Sequence, residues 1–234
     1  MRAAAILATA LALGAAGCSA TPPAAARATP AALPSALPLP ATWTTHADRA
    51  QGFAVATPDA WDVAVRDSPT LPADLDAVGK NSPELAAFFK KALDSNPDLS
   101  LVAADPRSVA QGFAANANVM TANLGAVAGA PALADVVEAK LTRLRTEAAV
   151  SQPVRHSNAR LAGQPAVRLD YTLKAGDQDI VVRSYLLVVD RGGQRRRLEL
   201  TMGAPGEQGT AGTFDSIALS FSVTAATRGG AGLP

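Results

Sequence analysis

Apolar residues recur at every second position in residues 53–57 and again in 61–65, with Pro58-Asp59 between the two stretches. This period is typical of strands with one buried face, so we predict two short strands joined by a Pro-Asp turn. Two further strands are predicted, at Leu99–Ala104 and at 113–124. In the second of these, alternation places Ala117 and Val119 on one face and Asn116 and Asn118 on the other.

A period near 3.6 residues predicts three helices. The first starts at Ser82-Pro83, has an apolar face with Leu85, Phe89 and Leu93, and stops at Asn96-Pro97. The second follows Pro131 and has the clearest apolar stripe, which Lys140 interrupts. A third, short helix carries the apolar residues of 213–221. These side chains form the stripe of the second helix: Leu133, Val136, Val137, Leu141 and Leu144.

Between the last two helices the chain is rich in strand-forming residues at 166–173, 180–189 and 195–202. The turns at 175–177 and 191–193 are too short for a parallel crossover, so the three strands form an antiparallel meander. The predicted order is therefore strands, helix, strands, helix, meander, helix. This order predicts an α+β fold built on an antiparallel sheet flanked by helices.

The chain begins with Met1-Arg2, a short apolar stretch and then Ala15-Ala16-Gly17-Cys18. Roughly 14 apolar residues suit the core of a secretory signal but are too few to span a bilayer. Small residues leading into a cysteine resemble the bacterial lipobox, which implies cleavage after residue 17 and acylation of Cys18. We therefore expect export and lipid anchoring at the outer face of the cell membrane. An ordinary secretory signal with an incidental cysteine is the alternative.

Residues 18–41 are nearly all Ala and Pro, a composition that favours extended polyproline conformations. This tether reaches roughly 70 Å when extended. We place one folded domain at 42–223 and a Gly-rich disordered tail at 224–234. Cys18 is the only cysteine, so the domain has no disulfide to stabilise it. The excess of arginine over lysine and the abundant alanine favour a GC-rich bacterium.

Several short motifs, in this order of elements, resemble one known family. Residues 52–61 (GFAVATPDAW) are similar to the G-F-x-V-x-x-P-x-x-W opening of PsbP-like domains, in particular those of actinobacterial LpqN/LpqT-type lipoproteins. Segments 113–119 and 213–221 and the meander with Tyr171 and Tyr185 fit the same pattern. The resemblance covers most of 42–223. It implies a PsbP-like α/β/α sandwich, in a family of mostly accessory or binding proteins without chemistry of their own.

Candidate chemistry is sparse, and the net charge of +1 gives no field that would attract nucleic acid. The two histidines, His46 in a polar strand and His156 in a loop-like segment, lack a neighbouring nucleophile or metal ligands. We therefore predict surface histidines, no catalytic residue, no metal and no cofactor. Asn116 and Asn118 either satisfy neighbouring loops or bind a ligand. Arg195 and Arg197 belong either to a solvated hairpin or to a contact with an anion or anionic lipid.

Three functions are compatible with these features. The first is a non-enzymatic, membrane-anchored envelope lipoprotein that acts as a binding or accessory module for an envelope protein. The second is a carrier or sensor of a small molecule or lipid, with a pocket between the sheet and a helix. The third, an enzyme of acyl or glycan metabolism, has the least support because no catalytic set is visible.

Overall fold

The computed structural model describes residues 41–206 and 211–224. The predicted signal peptide at 1–17, the lipidated Cys18, nearly all of the tether at 18–41 and nearly all of the tail at 224–234 lie outside the described residues. Those four predictions therefore stay predictions.

The described chain forms ten strands, four α-helices and one 3-10 helix. The strands are β1 (Trp43–Asp48), β2 (Phe53–Pro58), β3 (Asp62–Val65), β4 (Leu99–Ala104), β5 (Asn116–Ala126), β6 (Val150–Leu161), β7 (Gln164–Ala175), β8 (Gln178–Arg191), β9 (Gln194–Pro205) and β10 (Ser222–Val223). The helices are α1 (Leu71–Asn81), α2 (Pro83–Ser95), α3 (Leu133–Thr146) and α4 (Ala211–Ser220), and the 3-10 helix is Pro106–Gln111.

Seven strands form one large sheet in the order β3-β4-β5-β9-β8-β7-β6, and β1, β2 and β10 form a small second sheet. Neighbouring strands are antiparallel throughout both sheets. The long hairpins β6-β7, β7-β8 and β8-β9 follow one another directly, because their two-residue turns leave each strand beside the previous one. Strands β5 and β9 lie at the centre of the large sheet.

Three layers result from the apolar faces of these elements. On one face of the large sheet, α4 and the small sheet bury a continuous cluster that includes Phe53, Leu198, Leu200 and Phe214. On the other face, α1 covers β3, α2 covers β4, and α3 covers β7 and β8, in two separate clusters. The predicted α+β fold, an antiparallel sheet flanked by helices on both faces, is confirmed.

The two short strands predicted on either side of Pro58-Asp59 are present as β2 and β3. They pair with different neighbours, β2 with β1 and β10 and β3 with β4. One prediction about the strands is wrong. The segment with His156 is not a loop but the edge strand β6, in which His156 lies opposite Leu169 of β7. Most side chains of β6 are exposed, so the strand carries no apolar alternation that would predict it. The meander therefore has four strands, not three.

Helix α1 was not predicted either. Its sequence has Pro72 in the first turn and Gly79 near the end, and Val78 is its only buried residue among those described. A helix that buries so little shows a weak apolar period. It packs against α2 and β3.

Candidate functional site

A cavity of about 150 Å³ lies on the large sheet between α2 and α3. It is located where the two helix clusters of that face fail to meet, over the central strands β5 and β9. Apolar side chains from both sides form its walls: Leu85, Phe88 and Ala92 from α2, Leu144 from α3, and Leu173 and Ile180 from β7 and β8. The volume is close to that of an engineered protein cavity that binds benzene.

The floor of the cavity is polar, unlike its walls. Asn116 and Asn118 of β5 and Thr201 of β9 all line it, and Asn118 lies directly opposite Thr201 in the sheet. On β8, Ser184 continues this row opposite Thr201, and the two hydroxyl oxygens are 2.8 Å apart. Alternation explains the arrangement, because the neighbours Ala117, Val119 and Leu200 point into the core on the opposite face.

Lys140 of α3 reaches into this cavity and forms an ion pair with Glu199 of β9. Its Nζ lies 2.8 Å from Oε1 of Glu199, and only 11% of the Lys140 side chain and 1% of the Glu199 side chain are exposed. Burial is the largest single influence on the pKa of Lys140 and lowers it, but Glu199 and Tyr171 together raise it, so the net shift is upward. Burial is also the largest single influence on the pKa of Glu199 and raises it, but Lys140, Arg197 and the hydroxyl of Thr201 together lower it, so the net shift is downward. Both groups are therefore charged at neutral pH.

A chain of hydroxyl groups leads to the same carboxylate. Thr201 donates its hydroxyl proton to Glu199 over 3.3 Å, so Ser184 must be the donor in its contact with Thr201. Tyr171 of β7, which also lines the cavity, is hydrogen-bonded to Ser184. Burial raises the pKa of Tyr171, so its phenol stays protonated and can donate at neutral pH. The polar floor is thus organised around Glu199.

Both asparagines that were predicted as binding residues lie at the cavity. The Nδ2 of Asn118 donates to Oδ1 of Asn116 over 3.1 Å, and Nδ2 of Asn116 donates to the carbonyl of Ala114 over 2.9 Å. Asn116 is therefore occupied by the protein itself. Asn118 is only half-buried. It is the floor group best placed to contact a ligand, and that role stays a prediction.

Arg195 and Arg197 share one face of β9 but lie outside the cavity lining. Arg195 donates to Asp190 over 2.8 Å and to the carbonyl of Ala130 over 3.1 Å. Arg197 is buried, and its Nη2 donates to Oδ2 of Asp98 over 3.1 Å. The interpretation as a solvated hairpin is therefore wrong for Arg197. The contact with an anion stays an untested prediction. An anionic ligand would have to compete with Asp190 for Arg195 and with Asp98 for Arg197.

A second, more open depression of about 550 Å³ lies beside β1 and the start of α1. His46 lines it, and its Nε2 lies 3.2 Å from the hydroxyl of Thr57. Burial lowers the pKa of His46, so the imidazole is neutral at pH 7. His156 is exposed on β6. Within 41–206 and 211–224, no three His, Cys, Asp or Glu residues form a group that could hold a metal ion.

Sequence reasoning missed the centre of the site. It noted Lys140 as an interruption of the α3 stripe but did not connect it with Glu199, Tyr171 or Thr201. The usable signal is a lysine on a buried helix face together with a glutamate between two leucines in a buried strand, since such charges are almost never buried unless paired. That signal predicts an ion pair without saying where it lies.

None of the helices in the described part of the chain combines the length and apolar character needed to cross a bilayer. No protein-family model matches the sequence, and no curated protein matches it.

Several solved structures are similar to the chain in three dimensions, among them LpqN and a cyanobacterial PsbP. The crystal structure of LpqN, a protein involved in cell envelope biogenesis of Mycobacterium tuberculosis, matches with a TM-score of 0.50 and 15% identity over 78% of this chain and 90% of LpqN. The solution structure of cyanobacterial PsbP (CyanoP) from Synechocystis matches with a TM-score of 0.47 and 13% identity over 78% of this chain and 93% of that chain. The likeness to LpqN shows a shared fold.

Proposed function

We propose that this chain is a non-enzymatic binding module of the cell envelope, and that it holds one small amphiphilic molecule in the cavity between α2 and α3. The observation that carries the proposal is the cavity itself, with apolar walls around a polar floor. Ligand sites in proteins are mostly apolar clefts with a few convergent polar groups, and this cavity has that composition.

The geometry favours a small amphiphile over a fully polar molecule. The wall residues Phe88 and Ile180 offer no hydrogen bonds, so a fully polar ligand would lose its hydration there without replacement. The floor residues Asn118 and Thr201 can hydrogen-bond a polar head. A volume of about 150 Å³ encloses only a head or a short alkyl segment, so a longer chain would extend out of the cavity.

The envelope assignment rests on two further observations. The sequence up to Cys18 resembles a lipoprotein signal, and the fold is shared with LpqN, which is involved in cell envelope biogenesis. In this proposal the chain is held at the outer face of the cell membrane by lipid on Cys18. An envelope protein that delivers or receives the ligand is the partner we expect.

The ligand is tested by native mass spectrometry of the full-length chain purified from its own envelope. We expect one bound small amphiphile per chain, and loss of that mass in Gly203→Val. Gly203 lines the cavity, and a Cβ there would lie 3.5 Å from Ile180 and 3.8 Å from Phe113, in ordinary contact. A Cβ at this position therefore meets no backbone atom, and we expect the valine side chain to take up space in the cavity. The control is Ala126→Val, which adds bulk at an exposed position of β5.

If the wild-type chain carries no amphiphile, takes up none when it is offered, and responds to Gly203→Val no differently from Ala126→Val, the cavity is not a ligand site. The anchor is tested separately with Cys18→Ala. This variant should leave the membrane fraction, because the acyl chains are its only proposed attachment. Unchanged membrane association with no lipid mass on the mature terminus would contradict the anchor. Crosslinking in the native organism tests for the partner protein.

A further inference from the structure

The charged side chains that line the cavity each lie near a group of opposite sign. Lys140 is paired with Glu199, and Arg197 with Asp98. At the rim, Glu147 lines the cavity and acts electrostatically on Arg143. The two charged residues in the lining, Lys140 and Glu147, thus each lie near a group of opposite sign, so neither offers a ligand an uncompensated charge.

Lys140 and Glu199 differ in their access to the cavity. Lys140 lines it, whereas Glu199 lies behind Lys140 and is almost completely buried. The ammonium group is thus the charge nearest to a ligand head, and its only ionic partner among the described residues is Glu199. An ionised head placed here would lose its hydration and meet charges that are already neutralised, so it would gain little in return.

We propose that the Lys140–Glu199 pair makes the cavity selective for amphiphiles with an uncharged hydrogen-bonding head. This proposal rests on the proposed function and names the ligand class of that same cavity. An uncharged head can accept from the ammonium group of Lys140 and donate to the amide oxygen of Asn118 without disturbing the ion pair. A carboxylate would compete with Glu199 for Lys140, and an ammonium would be repelled by Lys140.

The proposal has a specific consequence for variants that lack one member of the pair. In Glu199→Gln, Lys140 loses its counter-charge and can be neutralised by a ligand carboxylate. In Lys140→Met, Glu199 loses its counter-charge and can be neutralised by a ligand ammonium. The preferred head should therefore change from uncharged to anionic in the first variant and from uncharged to cationic in the second.

The experiment uses three probes with the same eight-carbon chain: 1-octanol, octanoate and octylammonium. Binding to the full-length chain is measured by titration calorimetry at pH 7, below the aggregation limit of each probe. For the wild-type chain we expect octanol to bind at least about tenfold more tightly than either ion, which corresponds to about 1.4 kcal/mol. We expect the order to invert in favour of octanoate in Glu199→Gln and of octylammonium in Lys140→Met.

Lys174→Met is the matched control, because it removes a lysine from the exposed ion pair with Asp179. It should keep the wild-type order of the three probes. Equal binding of octanol and either ion by the wild-type chain would overturn the proposal, and this comparison needs no variant to fold. Unchanged order in both folded pair variants would overturn it too. If none of the probes binds the wild-type chain, the proposed function itself fails.

Discussion

The two faces of the large sheet are built from the same strands but differ in continuity. On the face covered by α4 and the small sheet, one apolar cluster runs across the sheet and contains Phe214, Leu198 and Leu200. On the opposite face, the clusters under α2 and α3 are separate, and a polar row with Asn118 and Thr201 lies between them. The first face is closed, and the second has a cavity.

This difference arises because one strand supplies side chains to both faces of the sheet. Successive residues of β9 alternate between the faces, so Leu198 and Leu200 pack in the core while Glu199 and Thr201 organise the cavity floor. Polar residues in the middle of a sheet are tolerated here because each has a hydrogen-bond or ionic partner. The free-energy cost of burying these polar residues arises only on the face of the sheet where α2 and α3 leave a gap.

The largest effect is expected from a charge placed in one of the separate clusters. Leu141 of α3 is 3% exposed, so Leu141→Asp buries a carboxylate without a partner. We expect destabilisation by more than about 4 kcal/mol and no accumulation of folded protein. Circular dichroism and protease resistance measure this. Thr142→Asp, at the next and exposed position, is the control and should fold. A folded Leu141→Asp variant would show that α3 is dispensable for the cavity face.

The second prediction compares a phenylalanine from each face. Phe214 is 2% exposed in the continuous cluster, and its truncation to alanine should cost about 3–5 kcal/mol in urea unfolding. Phe88 is half-buried at the cavity wall, so Phe88→Ala should cost only about 1–2 kcal/mol. Phe88→Ala should nevertheless weaken octanol binding more than Phe214→Ala does. The reverse pattern would place the stabilising core on the cavity face.

More of the fold than of the site could be predicted from the sequence. The strands β2, β4 and β5 and the helices α2 and α3 have clear apolar periods, whereas the exposed edge strand β6 has none. Alternation along β5 placed Asn116 and Asn118 on one face correctly, because that is a local property. The pairing of Lys140 with Glu199 depends on the Lys140 side chain reaching from α3 to β9, and only the order of strands in the sheet determines which strand it can reach.

The third prediction concerns the stability of the Lys140–Glu199 pair. Removing one member leaves a buried charge, so Lys140→Met should cost about 3 kcal/mol, near the lower limit for buried pairs because Lys140 borders the cavity. The double variant Lys140→Met/Glu199→Gln should recover part of this loss. Urea unfolding at pH 7 measures both. A double variant less stable than Lys140→Met would show that the pair is not an independent unit.

The same pair predicts a pH dependence. The pKa of Glu199 is lowered on folding, so its contribution to stability is complete above about pH 4.5, the ordinary value, and is lost as the pH falls through the lowered folded value. The pKa of Lys140 is raised, so its contribution to stability is complete below about pH 10.5, the ordinary value, and is lost as the pH rises through the raised folded value. The stability difference between the wild-type chain and the double variant should be constant between these limits. A change in this stability difference near pH 7 would contradict the assignment of Glu199 as ionised and of Lys140 as protonated at that pH.

The smallest effect is expected from replacing both histidines, because neither lies at the cavity. His46 is neutral and contacts the hydroxyl of Thr57, and His156 is exposed on β6. Glutamine keeps much of their hydrogen-bonding capacity but cannot act as a base at neutral pH. The variant His46→Gln/His156→Gln should therefore lose less than about 1 kcal/mol of stability and bind octanol as the wild-type chain does. It should also complement a deletion strain, with protein abundance measured beside growth. Loss of function at normal abundance, with normal octanol binding, would locate essential chemistry on β1 or β6 and favour an enzyme over a binding module.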